Sequence, residues 1–368
     1  MTDHTPNYLA HLRAAYDWLE RSRSPRDGGS RASFSPLRGW SRTYPETTGY
    51  IIPTVLACGA ELGDIRALSK ATRFGEFLLT AQRDDGAWNG HLHPARHPQA
   101  SVFNTAQILK GMCALARVTG QARWYNAARR GARWLRDEQQ SDAVWARGNY
   151  QTGFNPSYYT QVAWPILEVA QLTGDQTLSA AAERALTVYE RRRSANGMYS
   201  GWGFGGAQPA FTHTIAYTLR GFLESGRLLD QPERFHGPVS ETLAPFRDEA
   251  IERRGRIGGA YFDDRRAQRS FVCLTGNAQL AICMMIVAEH DHDPRWIEAA
   301  TALLDEVCSH HATSHVVPAL RGAVAGSAPL WGRYMRFRYP NWAAKYLCDA
   351  LLRIVHAGRT TARERPPT

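Results

Sequence analysis

The chain has 368 residues, of which 44 are Lys or Arg and 34 are Asp or Glu, so its formal net charge is +10 at pH 7. Apolar residues make up 43% of the sequence, which allows a large core and excludes wholesale disorder. All but three of the basic residues are Arg, whose planar guanidinium binds carboxylates and phosphates through paired hydrogen bonds. The excess of Arg indicates either an anionic substrate or a solvated basic surface, and the sequence leaves both open.

The sequence shows no sign of export, of a membrane span or of a metal site. Its N-terminus lacks the apolar core of a signal peptide, and no run reaches the roughly 18 apolar residues that a membrane-spanning helix needs. The six cysteines are scattered without a C-x-x-C pair, which favours buried thiols over a disulfide framework or a zinc site. We therefore expect a soluble, cytoplasmic protein without a metal or a cofactor.

A helix-ending phrase recurs along the chain about every 56 residues, as in repeat proteins. The phrases are AELGD, RVTGQ, QLTGD, GRLLDQ and EHDHD, which end at Asp64, Gln121, Asp175, Gln231 and Asp293. In three of them a Gly follows the last apolar turn, where a helix-terminating residue in the left-handed conformation is expected. The phrases divide one domain, residues 1–368, into six units: 8–64, 65–121, 122–175, 176–231, 232–293 and 294–358, with a disordered tail at 359–368.

Each unit carries two helical patterns of different character. The first is amphipathic, as in the unit that places Phe74, Phe77 and Leu78 on one face and charged residues on the other. The second is apolar almost all round, as in the run AQILKGMCALARV, which is typical of a helix buried on every side. Six amphipathic outer helices alternating with six buried inner helices predict an all-α fold, the (α/α)6 toroid, a double ring. A linear solenoid competes with it but would leave one face of each inner helix in water.

The linkers that run from each outer helix to the next inner helix are long and rich in Gly, aromatic and polar residues. Long loops in a compact domain are usually functional. Because all six join the same two layers, they should project from one end of the ring and form its binding face. The loop aromatics that could stack on sugar rings are Trp40, Trp88, Tyr150, Trp202, Phe204, Tyr261, Trp331 and Tyr334.

The inner helices begin with segments that are unusually polar for buried helices. The unpaired N–H groups and the positive dipole end of a first helical turn attract anions and sugar oxygens. The residues predicted to bind substrate are Tyr44, Asn104, Gln107, Tyr158, Gln161, Trp202, Asn277, Gln279, Asn341, Trp342 and Lys345. The residues predicted to act in catalysis are Glu46, Tyr50, Tyr159, His213 and Tyr217. Structural interpretations stay open, since polar residues here can cap helices, aromatic rings can pack between loops and a buried His can be a core group.

At these inner-helix motifs the sequence resembles a known group of proteins. The phrases YPETTGYIIPTVL, HTIAYTLRGFLESG, CLTGNAQLA and GSAPLWGRYMRFRYPNWAAKYLCDAL are similar to α/α-toroid proteins of bacterial polysaccharide-biosynthesis clusters. That group shares the architecture of terpenoid cyclases and protein prenyltransferase β subunits, and it is similar to the C-terminal domain of glucuronyl C5-epimerases. The resemblance covers nearly the whole chain. The chain lacks the D-x-D-D acid motif of squalene–hopene cyclases and the zinc-binding sets of prenyltransferases and lanthionine-type cyclases, so the resemblance does not imply those activities.

Four functions remain open at this point. The first is an enzyme that modifies an acidic sugar or glycan by proton transfer, as an epimerase does, with Glu46, the tyrosines and His213 as acids and bases and Lys345 as a cationic neighbour. The second is a polysaccharide lyase or a glycoside hydrolase on the same ring, although a hydrolase needs two carboxyls. The third is a non-catalytic glycan-binding or assembly protein, and the fourth is a terpenoid cyclase-like enzyme. No nucleotide-binding or nucleic-acid motif occurs, so a nucleic-acid partner is not expected.

Overall fold

The computed structural model describes residues 6–90, 98–149, 151, 153–206 and 208–364, without the side chains of 358–364. Within these residues the chain forms twelve α-helices, and a short 3₁₀ turn at Ser157–Tyr159 precedes the sixth. The helices are α1 (Tyr8–Ser22), α2 (Pro45–Leu62), α3 (Ala67–Ala81), α4 (Val102–Thr119), α5 (Ala122–Asp137), α6 (Thr160–Thr173), α7 (Gln176–Glu190), α8 (Thr212–Leu228), α9 (Pro232–Glu252), α10 (Leu274–Asp291), α11 (Pro294–Ser309) and α12 (Asn341–Glu364).

The even-numbered helices form a closed inner ring. Helix α2 packs on α4, α4 on α6, α6 on α8, α8 on α10 and α10 on α12, and α12 packs back on α2. The odd-numbered helices lie outside this ring, where each packs on the inner helix that precedes it around the ring. This closure confirms the predicted (α/α)6 toroid and excludes the linear solenoid, whose first and last inner helices would not meet.

The two layers follow from the two hydrophobic patterns. In the outer helix α5 the buried side chains Trp124, Ala128 and Ala132 recur at helical spacing, and five arginines lie among the residues that are not buried. In the inner helix α10 every residue from Leu274 to Met285 is buried. The predicted terminating glycines Gly63, Gly120 and Gly174 have φ values of 68°, 66° and 70°, so each ends its inner helix in the left-handed conformation.

Inner helices α2 and α4 approach closely where both present glycine. A Cβ atom at Gly111 of α4 would collide with the carbonyl oxygen of Gly49 in α2. A side chain at either position would therefore push the two helices apart.

The ring closes at a seam between the first and last parts of the chain. Asn341, at the start of α12, donates from Nδ2 to Ser30 Oγ at 2.7 Å and to Thr47 Oγ1 at 2.9 Å. Trp18 in α1 donates from Nε1 to the carbonyl oxygen of Ala319 at 2.8 Å. Because these groups are buried and hydrogen-bonded across some 300 residues of sequence, they fix the last inner helix against the first.

Short strands stiffen the linkers at the mouth of the ring. They are β1 (Ser33–Ser35), β2 (Gly39–Trp40), β3 (Ala210–Phe211), β4 (Ala260–Tyr261), β5 (Ala267–Gln268), β6 (Val272–Cys273), β7 (Ser327–Ala328) and β8 (Tyr339–Pro340). The strand orders are β2-β1-β8, β3-β4-β5 and β6-β7, with antiparallel pairing throughout, and Phe34 of β1 lies opposite Tyr339 of β8.

Helix α12 continues to Glu364 and so includes the first residues of the predicted tail, while residues 365–368 lie outside the described ones. All six cysteines are buried free thiols, as their apolar surroundings predict. Among the described helices, none combines the length and the apolar character that crossing a membrane requires.

Candidate active site

A cavity of about 650 Å³ opens at the end of the ring where the inner helices begin. This volume lies in the range of pockets that bind small molecules. The described residues that line it are Tyr44, Glu46, Tyr50, Gly90, Gln99, Ala100, Ser101, Phe103, Asn104, Gly148, Asn149, Gln151, Tyr158, Phe204, Gly205, Gln208, Phe211, His213, Tyr217, Arg333, Tyr334, Met335 and Trp342. Helix starts and linkers from separate units therefore meet around one pocket.

Glu46 is the one carboxyl group among the described lining residues. It is the second residue of α2, where the helix dipole favours its charge, yet only 9% of it is exposed to solvent. Burial raises the pKa of Glu46 to about 7, although a hydrogen bond of 2.7 Å from the Tyr44 hydroxyl and the charge of Lys110 oppose the shift. Glu46 can therefore exchange a proton near neutral pH, which is what a general base or acid requires.

The raised pKa of Glu46 predicts a measurable pH dependence of stability. The unfolded chain ionises this carboxyl near pH 4.3, so the folded chain binds the proton more tightly between about pH 4.3 and about 7, and its stability falls as the pH rises through that range. Glu46→Gln removes this contribution. We expect the free energy of unfolding of the variant, relative to the parent chain, to rise by about 2 kcal/mol between about pH 5 and about pH 8.

Urea unfolding of both proteins at the two pH values measures this difference. The matched control is Glu233→Gln, because Glu233 also follows a Pro in the first turn of its helix but is exposed to solvent. If the Glu46→Gln difference stays constant with pH, the carboxyl titrates at its ordinary value and the prediction is wrong.

His213 lies near the start of α8 and is buried in the cavity wall. The Nε2 amide of Gln279, in the next inner helix, donates to His213 Nδ1 at 2.7 Å, which places the imidazole proton on Nε2. Burial lowers the pKa of His213 to about 3. The ring is therefore neutral over the physiological pH range and can serve as a hydrogen-bond donor to a developing negative charge.

Tyr217 lies one helical turn after His213, and the two ring centroids are 4.3 Å apart. Its hydroxyl accepts a hydrogen bond of 3.1 Å from the Tyr346 hydroxyl in α12. Burial raises the pKa of Tyr217 well above its usual value, so the phenol holds its proton until it can transfer it. Tyr346, which sequence reasoning missed, thus holds the Tyr217 hydroxyl in place at the cavity wall.

A layer of buried charges lies in the ring on the same inner helices, further from their starts. Asp349 in α12 accepts from Lys345 Nζ at 2.7 Å and from Thr54 Oγ1 at 2.6 Å, and Arg220 Nη1 lies 3.6 Å from it. Burial would raise the pKa of Asp349, but Lys345 and Arg220 lower it overall. These residues therefore form an ion-paired layer below the cavity. Lys345 Nζ also lies 4.0 Å from the centroid of the Tyr346 side-chain ring.

Glu46 and the pair His213–Tyr217 lie on opposite walls of the cavity. In the ring of six inner helices α2 and α8 are three places apart, so their starts face each other across the axis. A ligand in the cavity would therefore lie between a carboxyl group on one side and an imidazole and a phenol on the other.

The structure brings together eight of the predicted site residues in the cavity wall. Of the predicted catalytic residues, Glu46, Tyr50, His213 and Tyr217 line it, and of the predicted binding residues, Tyr44, Asn104, Tyr158 and Trp342 do so. The predicted loop aromatics Phe204 and Tyr334 line it too, whereas Tyr150 lies outside the described residues.

Eight other predicted site residues lie outside the lining, because they are used to hold the structure together. Tyr159 donates to Asn149 Oδ1 at 2.9 Å, and Lys345 donates to Asp349. Trp202 is buried against Tyr199. Gln279 reaches the cavity only through His213, which it orients.

The remaining amides connect neighbouring segments of the chain. Gln107 Nε2 donates to the carbonyl oxygen of Gln161 at 2.8 Å, and Gln161 Oε1 accepts from Lys110 Nζ at 2.7 Å. Asn277 Nδ2 donates to the carbonyl oxygen of Gly255 at 2.8 Å, while Asn341 closes the seam. These four side chains are buried structural groups rather than parts of the cavity wall.

Sequence reasoning missed several residues of the wall. Nothing in the sequence assigned Phe103 and Phe211 to the cavity wall, because an aromatic residue beside a helix start can equally pack against its neighbours. Arg333 was one of many arginines, and Asn149 lies in a linker whose path the sequence does not define. The segment GRYMRFRYP, rich in aromatic residues and Arg, was the one available signal for Arg333.

A family model for the squalene-hopene cyclase C-terminal domain matches residues 36–220, which is half of the chain and includes Glu46, His213 and Tyr217. The chain belongs to this family. No curated protein sequence matches this member of the squalene-hopene cyclase C-terminal domain family.

Solved structures with the same toroid resemble this squalene-hopene cyclase C-terminal domain protein along nearly its whole length. An unsaturated glucuronyl hydrolase specific for heparin is 15% identical, with a TM-score of 0.74 over 96% of this chain and 98% of that chain. The cellobiose 2-epimerase from Spirochaeta thermophila DSM 6192 is 13% identical, with a TM-score of 0.74 over 98% and 100%. An alpha-amylase from Clostridium perfringens is 12% identical, with a TM-score of 0.66 over 95% and 98%. At these identities the likeness establishes the fold.

Proposed function

We propose that this chain is an enzyme that modifies an acidic sugar or glycan by proton transfer at the carbon beside the substrate's carboxylate, as an epimerase does. The observation that carries the proposal is the placement of Glu46 on one wall of the cavity and of His213 and Tyr217 on the opposite wall. Inversion at a carbon centre needs a base on one face of the sugar ring and an acid on the other.

In the proposed reaction the carboxylate of Glu46 takes the proton from that carbon. The electron pair of the broken C–H bond moves into the substrate's carboxylate and gives an enolate-type intermediate. Tyr217 then delivers its hydroxyl proton to the opposite face, forming a new C–H bond. The tyrosinate regains a proton from solvent, and Glu46 releases to solvent the proton that it took from carbon. The overall reaction therefore exchanges one proton for another and needs no oxidant or reductant.

His213 supports this chemistry as a neutral donor. Because Gln279 donates to Nδ1, the proton stands on Nε2, from which it can donate to the oxygen of the intermediate as negative charge develops. The low pKa of His213 keeps its imidazole uncharged at neutral pH. The neutral ring carries one N–H donor and forms no ion pair with Glu46.

The structural neighbours support a carbohydrate substrate by analogy. Their names give a glucuronyl hydrolase, a cellobiose epimerase and an amylase, all on the same ring. Hydrolysis by the usual route needs two carboxyls, and the described lining of this cavity offers Glu46 alone. One carboxyl with an opposing phenol fits proton transfer better.

The decisive experiment is incubation in heavy water with a panel of uronate-containing glycans, followed by mass spectrometry and near-ultraviolet absorbance. Epimerisation places one deuterium on the carbon beside the carboxylate and produces no absorbance. A lyase would give an unsaturated, absorbing sugar, a hydrolase would give new reducing ends without deuterium, and glycan binding without any of these products would indicate a non-catalytic protein. Each of the last three results would overturn the proposal.

A second candidate is terpenoid cyclisation, because the family match and the aromatic wall favour it specifically. Rings such as those of Phe103, Phe204 and Phe211 can stabilise a carbocation. However, the sequence lacks the D-x-D-D acid motif of squalene–hopene cyclases. Incubation with squalene and chromatography of the hydrocarbon products would distinguish this candidate from the first.

A further inference from the structure

A row of arginine and large apolar side chains runs outward from the rim of the cavity, on the side of the mouth formed by α12 and α2. We term it the mouth strip, and it consists of Leu37, Arg38, Trp331, Arg333, Arg336, Phe337 and Arg338. Large apolar groups in it are unusually open to solvent, with Leu37 81%, Trp331 61% and Phe337 41% exposed. Exposed aromatic residues next to a pocket often mark a ligand surface.

The mouth strip is continuous with the cavity wall. The loop that carries Trp331, Arg336 and Phe337 on the surface also supplies Arg333, Tyr334 and Met335 to the lining. A ligand that leaves the cavity past Tyr334 would therefore pass directly onto the strip.

Pairing between strands brings the rest of the strip to the same place. Strand β1 pairs antiparallel with β8, with Phe34 opposite Tyr339. Residues after Phe34 therefore run alongside residues before Tyr339, which directs the hairpin tip with Leu37 and Arg38 toward Arg336.

The four arginines of the strip have no carboxylate partner among the described residues. Arg333 donates to Gln268 Oε1 at 2.7 Å, Arg336 to the carbonyl oxygen of Trp331 at 3.1 Å and Arg338 to Ser33 Oγ at 3.5 Å. On the outer helices, by contrast, arginines such as Arg234 form ion pairs with neighbouring glutamates. The strip thus leaves most of its guanidinium N–H groups available to an anion.

We propose that the mouth strip binds the part of an acidic polysaccharide that extends beyond the cavity, so that the substrate is a chain rather than a single sugar. Alternating Arg and aromatic side chains suit such a chain, because Arg pairs with uronate carboxylates and an indole stacks on a sugar face. The cavity itself holds a ligand of limited size, so a longer chain must continue across the mouth. This inference rests on the proposed function, since it names the substrate class of the same site.

The test measures binding rather than turnover, so that it is independent of the proposed reaction. Short and long oligomers of heparosan and of polygalacturonate are titrated against the parent chain, against Arg336→Ala/Arg338→Ala and against Trp331→Ala, in low and high salt. We expect the parent chain to bind the long oligomers about tenfold more tightly than the short ones, and both variants to lose that advantage. The preference should weaken in high salt, because the strip is exposed.

Matched controls lie elsewhere on the surface. Arg73→Ala/Arg133→Ala removes two exposed arginines from outer helices α3 and α5, and Ile65→Ala removes a 97% exposed apolar side chain after the far end of α2. These variants should bind the long oligomers as the parent chain does.

Three results would overturn the proposal. The first is equal affinity of the parent chain for short and long oligomers, and the second is an unchanged length preference in both strip variants. The third is loss of binding to vesicles of anionic phospholipid in the strip variants with oligomer binding intact, which would assign the strip to a membrane surface. If binding depends on oligomer length but no deuterium enters any glycan, the proposed role of the mouth strip is supported and the proposed reaction is wrong.

Discussion

Glu46→Gln is expected to lower kcat for the sugar substrate by a factor of about 10² to 10⁴, which is the usual contribution of a general acid or base. Gln has nearly the same shape and keeps the hydrogen-bonding contact with Tyr44, but it cannot accept the proton from carbon. The KM should change little, because the side chain remains in the wall. Deuterium incorporation from heavy water at saturating substrate measures the rate.

Glu233→Gln is the control for this experiment too, since it makes the same change at an exposed Pro-Glu helix start outside the cavity. It should retain the parent rate. Parent-like activity in Glu46→Gln, with the fold intact by circular dichroism, would show that the carboxyl is a structural group and that the base lies elsewhere.

Tyr217→Phe is expected to lower kcat by about 10², because it removes the hydroxyl that donates the proton and leaves the ring in place. Tyr346→Phe should have a smaller effect, of about tenfold, since it removes only the hydrogen bond that orients Tyr217. In addition, Tyr217→Phe should slow proton return to the substrate more than it slows loss of the substrate proton to Glu46. Single-turnover measurements of loss and return distinguish the two steps.

Tyr189→Phe is a suitable control, because Tyr189 is a fully buried tyrosine of outer helix α7 that does not line the cavity. It should affect stability alone. Full activity in Tyr217→Phe would remove the phenol from the mechanism, and a larger loss in Tyr346→Phe than in Tyr217→Phe would assign the proton transfer to Tyr346 instead.

The ring was predictable because its determinants repeat. The glycines at positions 63, 120 and 174 mark where inner helices end, and an apolar pattern without a polar face marks which helices are inside. A signal that occurs six times is robust to the ambiguity of any single segment.

The candidate site was predictable in part. Helix periodicity shows on which face of a helix a residue lies, but not whether that part of the helix reaches the cavity. Asn104 and Gln107 lie on nearly the same face of α4, yet Asn104 lines the cavity and Gln107 bonds to a neighbouring helix one turn further in. The same holds in α12, where Trp342 lines the wall and Lys345 pairs with Asp349.

Residues supplied by the linkers could not be located from the sequence. Arg333 and Met335 reach the wall because their loop turns back on itself, with Met335 and Phe337 at φ values of 51° and 53°. Such left-handed residues other than Gly are uncommon and have no reliable sequence signal. The contact of Tyr346 with Tyr217 joins two helices whose neighbourhood follows only from ring closure.

Because the ring is closed, the substrate can also be identified from its effect on thermal unfolding, without an assay of turnover. A compound held between α2 and α8 touches segments that are far apart along the chain, and it is bound only while α12 still packs on α2. Its binding energy therefore adds to the resistance of every helix to heat at once, in proportion to the logarithm of its concentration above the dissociation constant. Melting curves recorded across a library of glycans would therefore rank candidate substrates directly. The true ligand should raise the midpoint of a single, sharp unfolding transition.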